Sequence, residues 1–431
     1  MFKTLVNAFK NKEIRTKILW TLLILLAFRV GCFVPIPGLS MSAVQENIAS
    51  GVSLMSVLNA VTGGSLSQGT LFALGIVPYI NASIIIQLLT MVIPAFERWS
   101  KQGDEGRKKM SKATRIAAII LALIQSIGIV VGWGDSIDAT IMFGNQTLAT
   151  ITVIILMTAG SALCMWLSER ITERGISNGS SLIIFVGIIS TAGQSIYAAL
   201  STISASNLQS LWILLEFILV VVVLFSLIIF VDSGERRINV TYAKQVKGNK
   251  MYGGQNTNIP IRVNASGVMP IIFASALMMF PQMVLSLFGA NNDAYVWWSN
   301  NLGAGTWVYT ILTPVIIVFF AYFYQQIQFQ PDDIAKNIQQ YGGMILGIRP
   351  GKPTAEHLRK INNRITLFGA LFLALLVLVP SVIFNIIGAD MLGLNNAFTS
   401  TGLLIVVSVA LEIDKQLESQ LMMKHYKGIL K

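Results

Sequence analysis

Residues able to do covalent or acid–base chemistry are few and scattered in this chain. His357 and His425 stand apart in polar segments, while Cys32 and Cys164 lie inside apolar runs that alternate in direction, which places them toward opposite faces of a membrane. Neither pair has the spacing of a metal site, and no disulfide between the cysteines is expected. No phosphate-binding glycine loop, dinucleotide fingerprint, metal motif or Ser/His/Asp set is present. The sequence therefore implies no catalytic residue, no cofactor and no metal. Within the apolar runs the polar residues are neutral: Asn81, Gln87, Gln125, Ser180, Ser181, Gln194 and Gln282. Their chemistry is hydrogen bonding between helices. Arg29 and Glu216 are the charged exceptions, each near the end of a run, where a long side chain can snorkel or meet a loop carbonyl. Ion-coupled transporters and pumps need buried charge to carry protons or ions, and this chain supplies almost none.

The elements that must position these residues follow from composition. Hydrophobic residues make up 54% of the 431 positions and charged ones 12%, against about 25% charged in ordinary soluble proteins. Lipid is the solvent this composition fits. Ten apolar runs have roughly the length needed to cross a ~30 Å hydrocarbon core: 18–35, 71–93, 116–131, 148–167, 181–201, 211–231, 267–288, 306–327, 365–387 and 397–411. A single helix satisfies all its own backbone groups in lipid, so each run is read as a helix. Of the 31 basic residues, all but Arg29 fall before the first run, after the second, fourth, sixth and eighth, or in the tail. The intervening connections hold none. Basic connections stay in the cytosol, so both ends of the chain are expected there. A cleavable leader is not expected, because Pro35, Pro37 and Gly38 read as a helix stop and turn rather than a cleavage site.

Five helices on each side of the midpoint turn the second half upside down relative to the first, as in inverted-repeat membrane proteins. The stretch Gly75-Ile-Val-Pro-Tyr-Ile-Asn-Ala-Ser83 echoes Gly267-Val-Met-Pro-Ile-Ile-Phe-Ala-Ser275, with Gly, Pro, Ile, Ala and Ser at identical spacing. Gly and Pro permit bends, and Ala and Ser permit close helix approach. Two such helices could form a seam between the halves.

Between the first two runs, Leu54, Met55, Val57, Leu58 and Val61 recur at helical spacing up to Gly63-Gly64. This stretch is too short to span and reads as a segment re-entering the protein, with an interfacial helix as the alternative. Two basic connections, 232–264 and 328–364, are far longer than helix connections usually are. In the first, Ile238, Val240 and Tyr242, and then Ile259, Ile261 and Val263, alternate with polar residues and predict a β-hairpin. It carries Arg236, Arg237, Lys244, Lys247 and Lys250. In the second, Pro331 begins a short helix that stops at Gly342-Gly343, and Arg349-Pro-Gly-Lys352 makes a turn before Thr354 caps the next helix. Basic protrusions of this kind suit RNA phosphates or an acidic protein.

Several stretches together resemble the bacterial SecY family, the central subunits of the Sec protein-conducting channel. They are Phe28-Arg-Val-Gly-Cys-Phe-Val-Pro-Ile-Pro-Gly38, residues 72–89 around Pro78, Gly-Ile-Ser-Asn-Gly at 175–179, Val268-Met-Pro-Ile-Ile-Phe-Ala-Ser275 and Gly347-Ile-Arg-Pro-Gly351. The resemblance covers nearly the whole chain. It implies an all-α membrane protein with ten transmembrane helices in two inverted, pseudo-symmetric halves, 1–204 and 205–431, and a re-entrant plug helix at about 53–64. It implies a pore ring at Ile76, Ile80, Ser180, Ile184, Ile272 and Ile405, where Ser180 departs from the usual isoleucine. The plug would carry Leu54, Met55, Val57, Leu58 and Val61. A lateral gate would run through Asn81, Ser83, Gln87, Ser275 and Phe280, opening when the second and third helices part from the seventh and eighth. Arg236, Arg237, Lys244, Lys247, Arg349 and Lys352 would contact a motor or the ribosome. The implied partners are the SecE and SecG subunits, the SecA motor ATPase, the ribosome, preprotein substrates and membrane lipid, in the bacterial cytoplasmic membrane. Two other readings of the residues stay open: a secondary transporter for a small or peptide solute, and a non-conducting scaffold.

Overall fold

The computed structural model describes residues 2–40, 59, 61–132, 137, 145–202, 208–242, 245–247, 250–252, 256–264, 267, 269–286, 292–303, 306–387 and 400–429. Each of the ten apolar runs falls on a helix. A short amphipathic helix, α1 (Phe2–Lys10), precedes α2 (Lys12–Gly31), whose start Asn11 caps by accepting the Glu13 N–H. Next come α3 (Val77–Val92) and, across a bend of 105°, α4 (Pro94–Lys101). The long helices α5 (Gly103–Gly132), α6 (Gln146–Arg174), α7 (Gly179–Thr202) and α8 (Leu208–Asp232) follow. After the sheet-bearing connection lie α9 (Met269–Ser286), α10 (Asp293–Leu302), α11 (Trp307–Gln328), α12 (Pro331–Gln340), α13 (Lys352–Ile387) and α14 (Ser400–Ile429). Among the described residues six helices are long and apolar enough to cross a bilayer, or seven if α3 and α4 count as one bent element. The outward residues of these helices are apolar, Leu219, Val222, Phe319 and Leu375 among them, as a lipid-facing surface requires.

Packing repeats along the chain. α3 packs on α5, α5 on α6, and α2 on α6 and α7; in the second half α9 packs on α11, α11 on α13, and α8 on α13 and α14. The two sets meet where α9 lies against α3 and α5 and where α7 lies against α14. The largest apolar core runs through all of these helices except α5, whose Ala122, Ile129 and Val130 belong to a second core, and includes both cysteines, Cys32 and Cys164, as free buried thiols.

The second run differs from its sequence reading. The expected helix starts at residue 71, whereas the structure keeps residues 62–76 in tightly packed turns and begins α3 at Val77. Gly75 has φ +55°, a left-handed conformation that ends helical geometry, and Pro78 suits the first turn of the helix that follows. At the other end the residue before Pro94 is forced extended: Ile93 has ψ 117°.

The predicted hairpin forms, with β1 (Glu235–Tyr242) antiparallel to β4 (Asn256–Arg262) and Ile238 opposite Ile259. A smaller pair, β2 (Gln245–Lys247) and β3 (Lys250–Tyr252), lies between them in sequence. The second long connection adds β5 (Gly343–Ile345) to the other edge of β1, so the strand order is β4-β1-β5. Ile238, Val240 and Ile261 close over Ile338, Ile345 and Leu358 as a separate small core. The two basic connections are thus one structure. Thr354 does not cap α13, which begins at Lys352; its hydroxyl donates to the Arg349 carbonyl at 2.8 Å.

Candidate conduction site

Gly75 and Gly267 both adopt positive φ, +55° and +61°. Each is followed by a helix with proline at its second position, Pro78 in α3 and Pro270 in α9. The sequence echo is therefore a structural one: two helices start from the same backbone device, and the isoleucines five residues past each glycine, Ile80 and Ile272, stand in their first turn. Both line a single small cavity of about 50 Å³, together with Ile184 and Ile188 of α7, Ile405 of α14 and Val61. All five isoleucines are buried, none more than 9% exposed. The volume is close to that of one or two waters in liquid. The lining is mostly apolar, with Asn81, Ser275 and Thr401 as its polar side chains, and a narrow apolar constriction resists wetting.

The other two ring candidates lie elsewhere. Ile76 is buried at the N-cap of α3 and does not line this cavity. Ser180 stands in the first turn of α7, where its N–H and Oγ donate to Asn178 Oδ1 at 3.1 and 2.8 Å. Its hydroxyl is occupied locally. Ile188 is a lining residue that the sequence reading left out, although it is one turn beyond Ile184 on the same helix face.

Of the plug candidates, Leu54, Met55, Val57 and Leu58 lie outside the described residues. Val61 faces the cavity, and the chain after it is deeply buried, Ser65, Leu66 and Thr70 being fully covered. A re-entrant path, rather than a helix lying on lipid, accounts for this burial. Glycines make room for it: a Cβ on Gly187 would meet the Val61 carbonyl oxygen at 2.5 Å, and one on Gly75 would meet Thr62 Cγ2 at 2.9 Å. Arg29 reaches the same place, donating from Nη1 to the Gly63 carbonyl at 3.3 Å while its guanidinium lies 5.5 Å from the Phe33 ring centroid. The charged exception in the first run thus ties α2 to the re-entrant chain.

At the seam between the halves, Asn81 is buried with Oδ1 unpartnered, and Ser275 Oγ donates to the Ile271 carbonyl. Both line the cavity. Ser83 and Gln87 form a weak pair along α3, Nε2 to Oγ 3.5 Å. Phe280 lies farther along α9 in an apolar groove with Pro281, Trp297 and Trp298. The helices meeting here also carry two buried amides not singled out as gate residues, Gln125 on α5 and Gln282 on α9. Among the described residues Gln125 Oε1 has no donor and Gln282 Nε2 no acceptor.

Of the basic candidates, Arg236, Arg237, Arg349 and Lys352 are exposed, and Arg237 pairs with Glu235 at 2.7 Å. Lys247 sits opposite Lys250 in β2 and β3, and Lys244 lies outside the described residues. Pairing of β1 with β5 brings the two basic connections into one body.

A bundle of apolar helices that converges from both halves of the chain on one narrow, mostly apolar constriction, with Val61 packed against it, has the architecture of a membrane channel. The SecY family model matches residues 70–413. Relatives called protein translocase subunit SecY match end to end: that of Streptomyces galbus is 41% identical and that of Mycobacterium tuberculosis H37Rv 40% identical, with all of both chains covered. Among solved structures, a protein-conducting channel superposes with TM-score 0.66 at 20% identity over 94% of this chain and 92% of that one. The Sec61 channel of a canine ribosome–channel complex gives 0.62 at 19% identity over the same shares. The chain belongs to the SecY family, and the family sets aside the secondary-transporter reading.

Proposed function

We propose that this chain forms the pore through which unfolded preproteins cross the cytoplasmic membrane and from which apolar segments leave sideways into lipid. The carrying observation is that Ile80, Ile184, Ile272 and Ile405, from four helices of both halves, line one cavity. In this reading all ten apolar helices cross the membrane, both ends are cytosolic, and the halves 1–204 and 205–431 flank the pore. The segment before Val61 is the plug. A narrow apolar ring blocks water and ions yet lets an extended chain slide, because it offers no specific grip. No covalent chemistry is asked of the chain, so an external ATPase of the SecA kind, or a translating ribosome, drives movement, docked on the strand bearing Arg236 and Arg237 and the turn bearing Arg349. Association with SecE and SecG belongs to the same proposal; a relative seated on a ribosome supports the docking.

Side exit sorts by hydrophobicity. At about −0.3 to −0.6 kcal/mol per apolar residue, a ten-residue signal core gains roughly 3 to 6 kcal/mol in lipid, while one Arg or Asp costs about 2.5 to 3.5. Such amounts shift a gate balanced within a few kcal/mol. The test is reconstitution of the complex in vesicles with an ATP-driven motor and a radiolabelled preprotein. ATP-dependent protection of the preprotein from external protease is the expected result. A complex that assembles but protects nothing, beside a working reference translocon, overturns the proposal.

A further inference from the structure

Ser408 and Glu412 stand three and seven residues beyond Ile405 on α14, so all three share one helix face. Ser408 and Glu412 line a second cavity of about 480 Å³, with Asn178, Met269 and Tyr324. Met269 is likewise three residues from Ile272. On two helices, then, the cavity begins one turn from the constriction, on the side of the sheet, whose Arg262 also borders it.

The charges around this cavity divide into two groups. Asp232 accepts from Asn264 Nδ2 at 2.7 Å on its carboxylate and from Lys415 Nζ at 2.8 Å on its carbonyl. Arg262 stands opposite Glu235 in the β1–β4 register. These cations have anions beside them; burial lowers the Lys415 pKa and the Asp232 charge opposes that shift. Glu412 is different. Its carboxylate accepts one hydrogen bond, from Ser177 Oγ at 3.2 Å, and no lysine, arginine or histidine among the described residues lies within ion-pair distance of it. Ser408 is 5% exposed, and its Oγ has no partner among the described residues. A half-buried carboxylate without a cation, beside a buried hydroxyl without a partner, is an unfilled receptor for a donor-bearing cation.

We propose that this cavity receives a lysine or arginine side chain of the translocating polypeptide, bound by the Glu412 carboxylate and the Ser408 hydroxyl. The inference rests on the channel reading and names the substrate feature that the pore mouth recognises. Seven residues of helix rise put Glu412 about 10 Å from the Ile405 level, the reach of about three extended residues. When an apolar segment occupies the constriction, the basic residues that flank such segments in signal sequences arrive at Glu412. Tyr324 lines the same cavity, and an aromatic ring beside a cation adds to its attraction.

Glu412→Gln keeps an oxygen to accept from Ser177 and removes the charge, which separates recognition from the structural strap. Full complexes carrying wild type, Glu412→Gln or Glu412→Lys are reconstituted with the motor and given one preprotein whose basic flank is either intact or neutralised by Lys→Gln changes. In wild type the intact flank is expected to translocate faster; in Glu412→Gln that preference falls about five- to tenfold, and in Glu412→Lys it vanishes or reverses. Unchanged preference in both variants overturns the inference. If a variant does not assemble, a Ser408→Cys channel is tested for a disulfide to a cysteine replacing the flanking lysine of a stalled preprotein; no crosslink there, with crosslinking at the constriction intact, also overturns it. Absence of any translocation by wild type beside a working reference translocon counts instead against the channel reading.

Discussion

Ile80 and Ile272 stand five residues beyond glycines with φ +55° and +61°, in the first turns of two proline-started helices, and their side chains line the same cavity. In the proposed channel this pairing makes the closed seal a property of two helix starts. Polar substitution there should loosen it.

Asn at Ile80, Ile184, Ile272 or Ile405 is expected to raise ion leakage through resting vesicles and to admit preproteins with weakened signals, because a hydrogen-bonding group wets an apolar constriction. Ser180→Ile should change neither, since the Ser180 hydroxyl is engaged with Asn178; its cost is that one hydrogen bond, about 1 kcal/mol, while the backbone N–H of residue 180 still donates to Asn178. Conductance recordings and a signal-defective preprotein check both. Leakage from Ser180→Ile equal to that from Ile80→Asn would put Ser180 in the seal after all.

Gly187→Ala places a Cβ at 2.5 Å from the Val61 carbonyl oxygen. Either the re-entrant chain moves away or α7 shifts, with a loss of about 1 to 3 kcal/mol. The expected outcome is a lower unfolding temperature together with higher resting conductance. A stable, tight variant would show that the re-entrant chain does not close the pore.

Gln125 and Gln282 each hold a buried amide atom without a partner at the seam, a cost of about 1 to 3 kcal/mol apiece in the closed arrangement. Replacing either with Leu should stabilise closure and make translocation stricter, so that marginal signals fail first. Comparing rates for a strong and a weakened signal measures this; a uniform loss for both would indicate misassembly.

Arg349→Glu should impair motor-driven export more than insertion of apolar segments, because Arg349 is exposed at the tip of the turn before α13 while its carbonyl holds Thr354. Side-chain charge can change there without loss of the turn. Equal loss of both activities would point to a folding defect.

Much of the site was legible beforehand because repeated local chemistry leaves repeated letters. The echo between residues 75–83 and 267–275 already paired Ile80 with Ile272, and the alternation of basic connections matched the order of apolar helices. What failed were features that depend on distant chain. The second run was expected to be helical from residue 71, yet its first six residues fold as turns, with Gly75 packed close to Thr62. β5 was invisible because three residues acquire strand geometry only by pairing with β1, about a hundred positions earlier in sequence.

The order of apolar and basic segments, by itself, determined that this chain dissolves in lipid as a helical bundle with a duplicated plan, since the transfer energy of each segment depends on its own residues. Which isoleucines share a cavity, that the Ser180 hydroxyl is taken up by Asn178 and Ile188 forms a wall, and that Glu412 stands without a cation and Ser408 without a partner among the described residues were decided only by the tertiary structure. Those properties belong to the neighbours a side chain acquires when helices pack, and no local stretch of sequence contains them.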